Sequence, residues 1–496
     1  MSEKSADVVI IGSGPTGAAY ARVIRDEWPE ARILMVEAGP QIKSETGAHL
    51  DNILDDQARA EAEIKAQGPT PSPYAPITRA EWDERRAGRF DASLLRRQGL
   101  YMANDGDTKD DTLFAGFSAA NVGGMGTKWT TGCPRPSAAE LVPFIHPELM
   151  SEALGRAETL LKVNADLHPG DAIADNVRER LAGLFNSGRP HDRRVRPMPL
   201  ASTPIPGGFL RHGTDVILGP MVDEPRDLFR IATKTACRRI LHEGGKASGV
   251  ELVSLEDDTV WQVEAGTVIV AADSLHSPQL LYASGIRPDA LGRYINDHYQ
   301  VTKLIEMDTD KPMESMSWIP RADDWPFSVT IAPTSAHTLP FSATFNGQPV
   351  FIGVFCASDV IPDNRVLFDE SKKDWLGLPS ISIKAHKTPD DLERLEQGKE
   401  LAMRIAKTIG RPADGFETSV LPVGSSLHYQ GTMRMGAEDD GSSVCDRDSR
   451  VWCFDNLYVA GNGIIPTMTA TNPTLFSVAL AILGARRIAA LKRHAA

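Results

Sequence analysis

The chain contains few cysteines, and their distribution excludes two classes of protein. Its 496 residues include five cysteines, an odd number, and no C-x-x-C pair. A disulfide framework needs an even set of cysteines, and a structural zinc site needs ligands at short, fixed spacings. The sequence therefore predicts neither a disulfide scaffold nor a metal site. The five residues are Cys133, Cys237, Cys356, Cys445 and Cys453, and we expect the last two to be ordinary thiols and not a disulfide bridge.

Basic residues are too few to balance the acidic ones. Lys and Arg number 53 against 66 Asp and Glu, so the formal net charge is −13. This excess of negative charge disfavours nucleic acid and anionic membranes as partners. The first predicted strand begins near Asp7, which leaves no room for a signal peptide, and no apolar run approaches the length of a membrane helix. We therefore expect a cytoplasmic protein.

A dinucleotide-binding fingerprint occurs once, at the N-terminus, and no second copy follows a strand elsewhere. Residues 8–11 are an apolar run suited to a buried parallel strand, and Gly12, Gly14 and Gly17 follow as G-x-G-x-x-G. The glycines serve the tight turn, the approach of backbone to a pyrophosphate, and close helix packing. A strand at 33–36 ends at Glu37, where an acid binds a ribose hydroxyl and repels a 2′-phosphate. Since the fingerprint serves FAD and NAD alike, a single copy favours one tightly held FAD over an FAD/NAD pair.

Length and composition allow a large globular enzyme. At 496 residues, with 42% hydrophobic and 24% charged residues, the chain suffices for two domains or one interleaved pair. Apolar spacing predicts helices over 151–162, 171–187 and 390–408, and residues 300–386 alternate as antiparallel strands do. A strand at 457–460 and a helix at 474–492 then restore the nucleotide-domain pattern. The nucleotide domain is therefore predicted to be discontinuous.

His428 and Asn472 carry the clearest chemical signal near the C-terminus. Oxidation of an alcohol removes a proton from oxygen and a hydride from carbon, and a neutral imidazole is a suitable proton acceptor. An asparagine amide can donate and accept, so Asn472 suits a group that orients the same hydroxyl. A structural role is the alternative for any of the 12 histidines. The Gly431-Thr432 and Asn472-Pro473-Thr474 sequences favour the catalytic interpretation of both residues.

Taken together, these segments resemble the glucose-methanol-choline (GMC) flavin oxidoreductases, and within them the pyranose oxidases and bacterial C-glycoside 3-oxidase-like enzymes. The matching segments are the fingerprint at 12–37, a flavin-contacting loop at 121–127, a second signature at 272–285, a hairpin at 364–379 and the block 428–474. The resemblance implies a mixed α/β fold with a discontinuous Rossmann-like FAD domain and an antiparallel-sheet substrate domain. We expect the FAD domain at 1–135, 205–300 and 423–496, and the substrate domain at 136–204 and 301–422.

The resemblance also assigns residues to the flavin. Some relatives carry a histidine bonded covalently to the flavin where this chain has Lys128, whose ammonium cannot form that bond, so we expect noncovalent FAD. Thr130 is expected near flavin N5, and Ala236 where relatives hold adenine through backbone. The expected FAD-binding residues are Gly12, Gly14, Gly17, Glu37, Gly124, Met125, Thr127, Lys128, Trp129, Thr130, Ala236, Asn462, Gly463 and Thr474.

The implied reaction is oxidation of a secondary pyranose hydroxyl to a ketone, with hydride transfer to flavin N5, His428 as base, and reduction of O2 to H2O2. An open site would admit a sugar with a bulky aglycone, which favours C3 of glycosides, including C-glycosides. Pyranose 2-oxidation, a sugar dehydrogenase that uses a quinone or protein acceptor, and more distantly a lyase remain alternatives. The expected partners are a sugar or glycoside and O2, with self-association left open.

Five further residues receive weaker interpretations. His337 and Thr338 belong to a predicted substrate loop, for which an ordinary surface loop is the alternative. Tyr429 is equally compatible with the sugar pocket and with the core. His298 is interpreted as structural or near the flavin edge, and His276 as a packing residue.

Overall fold

The computed structural model describes residues 4–66, 100–103, 116–206, 208–309, 311–334, 345, 347–421 and 423–495. Within these ranges the strands are β1 (Ser5–Ile11), β2 (Ile33–Val36), β3 (Tyr101–Met102), β4 (Phe117–Ser118), β5 (Val163–Asn164), β6 (Arg196–Pro197), β7 (Leu200–Ile205), β8 (Gly208–Arg211), β9 (Phe229–Ala232), β10 (Thr235–Glu243), β11 (Lys246–Ser254), β12 (Val260–Val270), β13 (Tyr299–Met307), β14 (Ser317–Ile319), β15 (Phe327–Pro333), β16 (Gln348–Cys356), β17 (Arg365–Lys373), β18 (Pro379–Lys384), β19 (Arg411–Pro412), β20 (Ser419–Val420) and β21 (Leu457–Val459). The helices are α1 (Pro15–Glu27), α2 (Asp56–Lys65), α3 (Pro147–Leu160), α4 (Ala172–Phe185), α5 (Asp215–Leu218), α6 (Asp273–Ala283), α7 (Pro389–Ile409) and α8 (Thr474–Ala495).

The first sheet joins the two ends of the chain. Its strand order is β10-β11-β12-β1-β2-β9, and β21 also pairs with β12. The pairs β12–β1, β1–β2, β2–β9 and β12–β21 are parallel, whereas β10, β11 and the start of β12 form an antiparallel meander. The apolar residues of β1, β2 and β21 are almost wholly buried, as expected for parallel strands covered on both faces. The predicted discontinuous Rossmann-like sheet is confirmed.

One helix of this layer corrects an expectation. Residues Thr474–Arg493 of α8 are long and apolar enough to cross a membrane, with a mean hydropathy of 1.6, so the expectation of no such run is wrong. Of the 18 consecutive residues that are most apolar in this segment, 67% are buried in the fold. Helix α8 packs against α1 and α3. A helix that is apolar on all sides suits such a position in the core of a large protein.

The second sheet forms the antiparallel middle of the chain. Its order is β19-β13-β16-β15-β14-β6, with β20 also beside β13. Helix α7 packs across β13 and β16 and also contacts α4. The predicted antiparallel region is confirmed, and β17 and β18 form the predicted hairpin. Strands of the first sheet lie within the ranges expected for the FAD domain, while those of the second lie at 196–197 and 299–420. The domain boundaries themselves stay a prediction.

Candidate active site

A cavity of about 380 Å³ opens where the carboxyl ends of the parallel strands face the second sheet. Its lining includes Gly12 after β1, Glu37 after β2 and Asp273 after β12, together with Phe355 at the end of β16. The volume is within the usual range of ligand sites, and this edge of an open α/β sheet is where such sites form.

The glycine turn at the start of α1 has the geometry that a pyrophosphate needs. Gly12 has φ +103°, and a Cβ there would lie 2.2 Å from the carbonyl oxygen of Ala271. A Cβ on Gly17 would lie 2.2 Å from the carbonyl oxygen of Gly12, so α1 can pack only with glycine at this position. Gly14, in contrast, faces open space, and no side chain caps the first turn of α1. The exposed N–H groups of this helix N-terminus therefore fit the diphosphate of FAD.

Glu37 forms hydrogen bonds with the glycine turn and with Gly39. Its Oε2 accepts hydrogen bonds from the backbone N (3.2 Å) and Oγ (2.6 Å) of Ser13, and its Oε1 accepts from Gly39 N (2.8 Å). Burial raises the pKa of the Glu37 carboxyl. The carbonyl of Glu37 accepts from Thr235 N (3.0 Å), which brings neighbouring Ala236 into the same cavity. Oε1, which accepts one hydrogen bond here, retains capacity for a ribose hydroxyl.

The loop expected to contact the flavin folds onto the glycine turn. Gly123 N donates to Ser13 Oγ (2.9 Å), and a Cβ on Gly124 would lie 3.2 Å from Gly14 Cα. Lys128 Nζ donates to Asn121 Oδ1 (2.6 Å), and burial lowers the pKa of this amine to about 7. The loop therefore forms one wall of the cavity, with the lysine amine tied back to its own loop.

Most of the expected FAD-binding residues line this cavity. They are Gly12, Gly14, Glu37, Gly124, Met125, Lys128, Trp129, Thr130, Ala236, Asn462 and Thr474. Gly17, Thr127 and Gly463 lie behind the residues that line the cavity, where they set the backbone conformation of the cavity wall. Thr127 Oγ1 donates to the Gly124 carbonyl (2.9 Å), and a Cβ on Gly463 would lie 2.8 Å from Thr432 Oγ1. His337 and Thr338 lie outside the described residues.

His428 lines the same cavity and is held by a second histidine. Nδ1 of His428 hydrogen-bonds to Nε2 of His298, and the two rings meet edge-to-face with centroids 4.6 Å apart at 80°. His298 is 1% exposed, and burial lowers its pKa to about 3, so it is neutral at physiological pH. The backbone N of His428 donates to Ser426 Oγ (3.1 Å). Of the two sequence interpretations of His298, the contact with His428 places it at the site.

Asn472 lines the cavity and presents an unsatisfied acceptor. Its Oδ1 is buried and has no hydrogen-bond partner in the described part of the chain. Its amide nitrogen lies 3.7 Å from where a Cβ on Gly132 would stand, so the two residues lie side by side at van der Waals distance. A buried polar atom without a partner is costly in a folded protein. The arrangement therefore fits a ligand that brings a hydroxyl donor to this position.

A buried carboxylate positions the backbone just before Asn472. Oε1 of Glu140 accepts from the backbone N of Ala470 and of Thr471, both at 2.8 Å, and Oε2 accepts from Thr471 Oγ1 (2.9 Å). Glu140 is fully buried, with Arg321 Nη1 3.8 Å from Oε1. Arg321 Nη1 also donates to the Met468 carbonyl (2.9 Å). This pair therefore connects the loop that carries Asn472 to the second sheet.

Tyr429 lies at the boundary between the cavity and the hydrophobic core. The side chain lines the cavity and belongs to the hydrophobic core below the second sheet. Its hydroxyl oxygen accepts from Phe117 N (2.9 Å). Because this hydrogen bond holds the Tyr429 ring in place, the ring forms a fixed part of the cavity wall.

Two groups at the site were missed or undervalued by sequence reasoning. Asp273, with φ +69° at the start of α6, lines the cavity, and its Oδ2 lies 3.1 Å from Nδ1 of His276. Burial alone would lower the pKa of His276, but the Asp273 carboxylate outweighs it and raises that pKa. His276 Nε2 in turn contacts the Tyr101 hydroxyl (3.1 Å), so it is more than a packing residue. The other missed group, Glu140, stands in a Ser137-x-x-Glu140 capping box, a motif that predicts a local helix start and not a distant contact.

Comparison with known proteins supports the assignment that the motifs indicate. Two family models described as GMC oxidoreductase match residues 219–300 and 362–481. The chain is 40% identical to the C-glycoside 3-oxidase of Arthrobacter globiformis over 97% of this chain and 95% of that protein. It is 39% identical to the C-glycoside 3-oxidase of Microbacterium trichothecenolyticum over 97% and 96% of the two chains. The pyranose 2-oxidase of Tricholoma matsutake is 28% identical over 97% and 93%.

Solved structures share the fold at much lower identity. Pyridoxine 4-oxidase from Mesorbium loti superposes with a TM-score of 0.63 at 19% identity, covering 97% of this chain and 99% of that one. Formate oxidase from Aspergillus oryzae RIB40 superposes with a TM-score of 0.69 at 14% identity, with full coverage of both chains. The family models and the relatives at 40% and 39% identity show that the chain belongs to the GMC oxidoreductases, a family of FAD-dependent enzymes that act on CH–OH groups.

Proposed function

We propose that this protein is an FAD-dependent glycoside oxidase that converts a secondary pyranose hydroxyl, by preference the 3-hydroxyl, to a ketone and reduces O2 to H2O2. The observation that carries the proposal is that His428 and Asn472 both line the cavity that begins at the glycine turn. The two bacterial C-glycoside 3-oxidases, at 40% and 39% identity, support the class of substrate.

The residues of the chain divide the reaction between them. FAD, held by the glycine turn, Glu37 and the loop that carries Gly124 and Lys128, would supply a hydride acceptor at flavin N5 and a route for the electron pair to O2. His428 takes the hydroxyl proton as the C–H hydrogen leaves with its electron pair, so the alcohol loses two protons and two electrons, which O2 gains as H2O2. The amide of Asn472 donates to the reacting oxygen, and its Oδ1, which lacks a partner in the described structure, accepts from a neighbouring ring hydroxyl. The vicinal hydroxyls of a pyranose match this pair of contacts.

The preference for C3 rests on the shape of the substrate. His428 and Asn472 accept whichever hydroxyl the cavity presents, so the walls decide the position of oxidation. A bulky aglycone at C1 that points outward leaves the more distant hydroxyls to reach the site and hinders the one at C2. We therefore expect glycosides, including C-glycosides, to be better substrates than free monosaccharides.

Anaerobic mixing tests the class of reaction. The holoenzyme is mixed without oxygen with a panel of free sugars, O-glycosides and C-glycosides while flavin absorbance is followed, and oxygen is then admitted. We expect bleaching by glycosides and rapid return of the yellow colour with formation of H2O2. Turnover without bleaching would indicate a lyase. Bleaching that oxygen does not reverse, but a quinone does, would indicate a dehydrogenase.

The flavin is proposed to be noncovalent. Lys128 stands where some relatives link a histidine to the flavin, and its amine donates to Asn121 Oδ1. Acid precipitation should therefore leave yellow FAD in the supernatant. Yellow flavin that stays with the washed pellet would contradict this proposal.

A further inference from the structure

The hydrogen bond between His298 and His428 joins two imidazole rings. His428 lines the cavity, and His298 lies directly behind it. His298 directly precedes β13, and Phe355 at the end of β16 packs against it with ring centroids 5.0 Å apart. Nδ1 of His298 is buried without a partner that meets hydrogen-bond geometry among the described residues. The bond from its Nε2 to His428 is thus the polar contact that fixes the His298 ring.

The charge state of His298 limits how the two rings share their protons. Burial is the main reason why the pKa of His298 falls to about 3, and the nearby positive charge of Arg321 lowers it further. The neighbouring carboxylate of Asp297 accepts hydrogen bonds from Ser426 Oγ and from the backbone N of His428. His298 is therefore neutral at physiological pH, with a proton on only one of its nitrogens.

Two arrangements of the hydrogen bond are then possible, and they have opposite chemical consequences. If Nε2 of His298 donates, Nδ1 of His428 is the acceptor, so a neutral His428 carries its proton on Nε2 and cannot accept another there. If Nδ1 of His428 donates, the lone pair of His428 is on Nε2. The tautomer of a histidine is set by the hydrogen bond of its other ring nitrogen.

The proposed role of His428 as base requires the second arrangement, because His298 occupies Nδ1 of His428 and the base must then accept the substrate proton on Nε2. Nδ1 of His428 donates in that case, so the neutral His298 accepts through Nε2 and carries its own proton on Nδ1. With the proton on Nδ1, Nε2 of His298 can only accept.

We propose that His298 is a positioning residue for this reaction, a neutral acceptor that holds His428 in the Nδ1–H tautomer so that Nε2 takes the proton of the substrate hydroxyl. The inference rests on the proposed role of His428 as base. A carboxylate in this place would stabilise the imidazolium strongly and retard its release of the proton. A neutral imidazole orients the base while leaving its basicity near that of an ordinary histidine.

Two substitutions separate orientation from packing. In His298→Gln, the side-chain oxygen can reach the position of Nε2 and still accept, whereas His298→Leu fills the space without an acceptor. We expect His298→Leu to slow anaerobic flavin reduction roughly 10- to 10³-fold, with substrate KM changed far less, because base orientation is lost. His298→Gln should recover most of the rate. Equal impairment of both variants, or wild-type rates in both, would overturn the proposal.

A spectroscopic measurement decides the tautomer without reference to activity. Two-bond ¹H–¹⁵N spectra of the ¹⁵N-histidine-labelled holoenzyme, with His428 assigned by the His428→Gln variant, report which ring nitrogen carries the proton. We expect a protonated Nδ1 and a bare Nε2 in wild type and in His298→Gln. A protonated Nε2 in the wild type would overturn the inference even if the enzyme oxidises glycosides, whereas unimpaired turnover by His428→Ala would instead remove the base assignment of the proposed function.

Discussion

The nucleotide end and the catalytic end of the cavity are held by contacts of different range. At the nucleotide end, Glu37 bonds to Ser13, 24 residues away, and to Gly39, two residues away. At the catalytic end, His428 bonds to a histidine 130 residues away. The loop before Asn472 bonds to Glu140 across more than 300 residues. The nucleotide end is a compact motif within one βαβ unit. The catalytic end is assembled from three segments that are far apart in the sequence, together with the antiparallel second sheet.

This difference predicts different consequences of substitution. Changes in the nucleotide turn act on packing that the parallel sheet needs, so they should affect folding and retention of FAD. Changes around His428 and Asn472 act on groups that we propose to touch substrate, so they should affect the rate while FAD stays bound.

The largest effect is expected at the packed glycine of the turn. In Gly17→Val, the new Cβ would lie 2.2 Å from the Gly12 carbonyl oxygen, so α1 must move off the sheet, at a cost of about 1–3 kcal/mol or more. We expect a low Tm and almost no FAD per chain. Gly14→Ala is the matched control, since its Cβ meets nothing within 4 Å. It should fold normally and bind FAD more weakly, and similar loss of fold in both variants would contradict the distinction.

The next largest effect is expected at the base. His428→Ala should slow anaerobic flavin reduction roughly 10²–10⁴-fold, because a positioned general base contributes that much. The flavin spectrum and FAD content should match those of wild type. Stopped-flow absorbance measures the rate, and an unchanged rate with the best glycoside would show that His428 is not the base.

A smaller effect is expected behind Asn472. In Glu140→Gln, one acceptor oxygen becomes an N–H donor facing other donors, which disturbs the backbone of Ala470 and Thr471. We expect roughly a tenfold fall in kcat with FAD retained and a lower Tm, since loss of a buried hydrogen bond costs about 1–3 kcal/mol. The exposed Glu148→Gln on α3 is the control and should resemble wild type. A kcat equal to that of the control would contradict the positioning role.

A separate effect, on stability alone, concerns Lys128 and pH. Its pKa falls from 10.5 to about 7 in the folded protein, so between these values the unfolded chain binds more protons than the folded one. Stability contributed by this residue therefore rises with pH across that window. The Tm of FAD-free wild type should increase relative to that of FAD-free Lys128→Met between pH 7 and pH 10. A constant Tm difference would indicate that the amine is not desolvated.

The sequence predicted those parts of the fold and site that depend on neighbours in the chain. The glycine turn, Glu37 and the strands at 8–11 and 33–36 follow from spacing alone, and helix α7 matches its apolar periodicity to within one residue at each end. The contact of His298 with His428 and the role of Glu140 did not emerge, because both are hydrogen bonds made by tertiary packing. The apolar run of α8 was likewise underestimated, because burial against α1 and α3 leaves residues 474–485 without a polar face.

The most direct test of the proposed chemistry is the position of the new carbonyl. The holoenzyme is supplied with oxygen and a C-glucoside, and the product is examined by ¹³C NMR, with free glucose and an O-glucoside run in parallel. The account predicts a carbonyl at C3 of the sugar ring and faster turnover of the glucosides than of glucose. A carbonyl at C2, or a clear preference for free glucose over every glycoside, would contradict it.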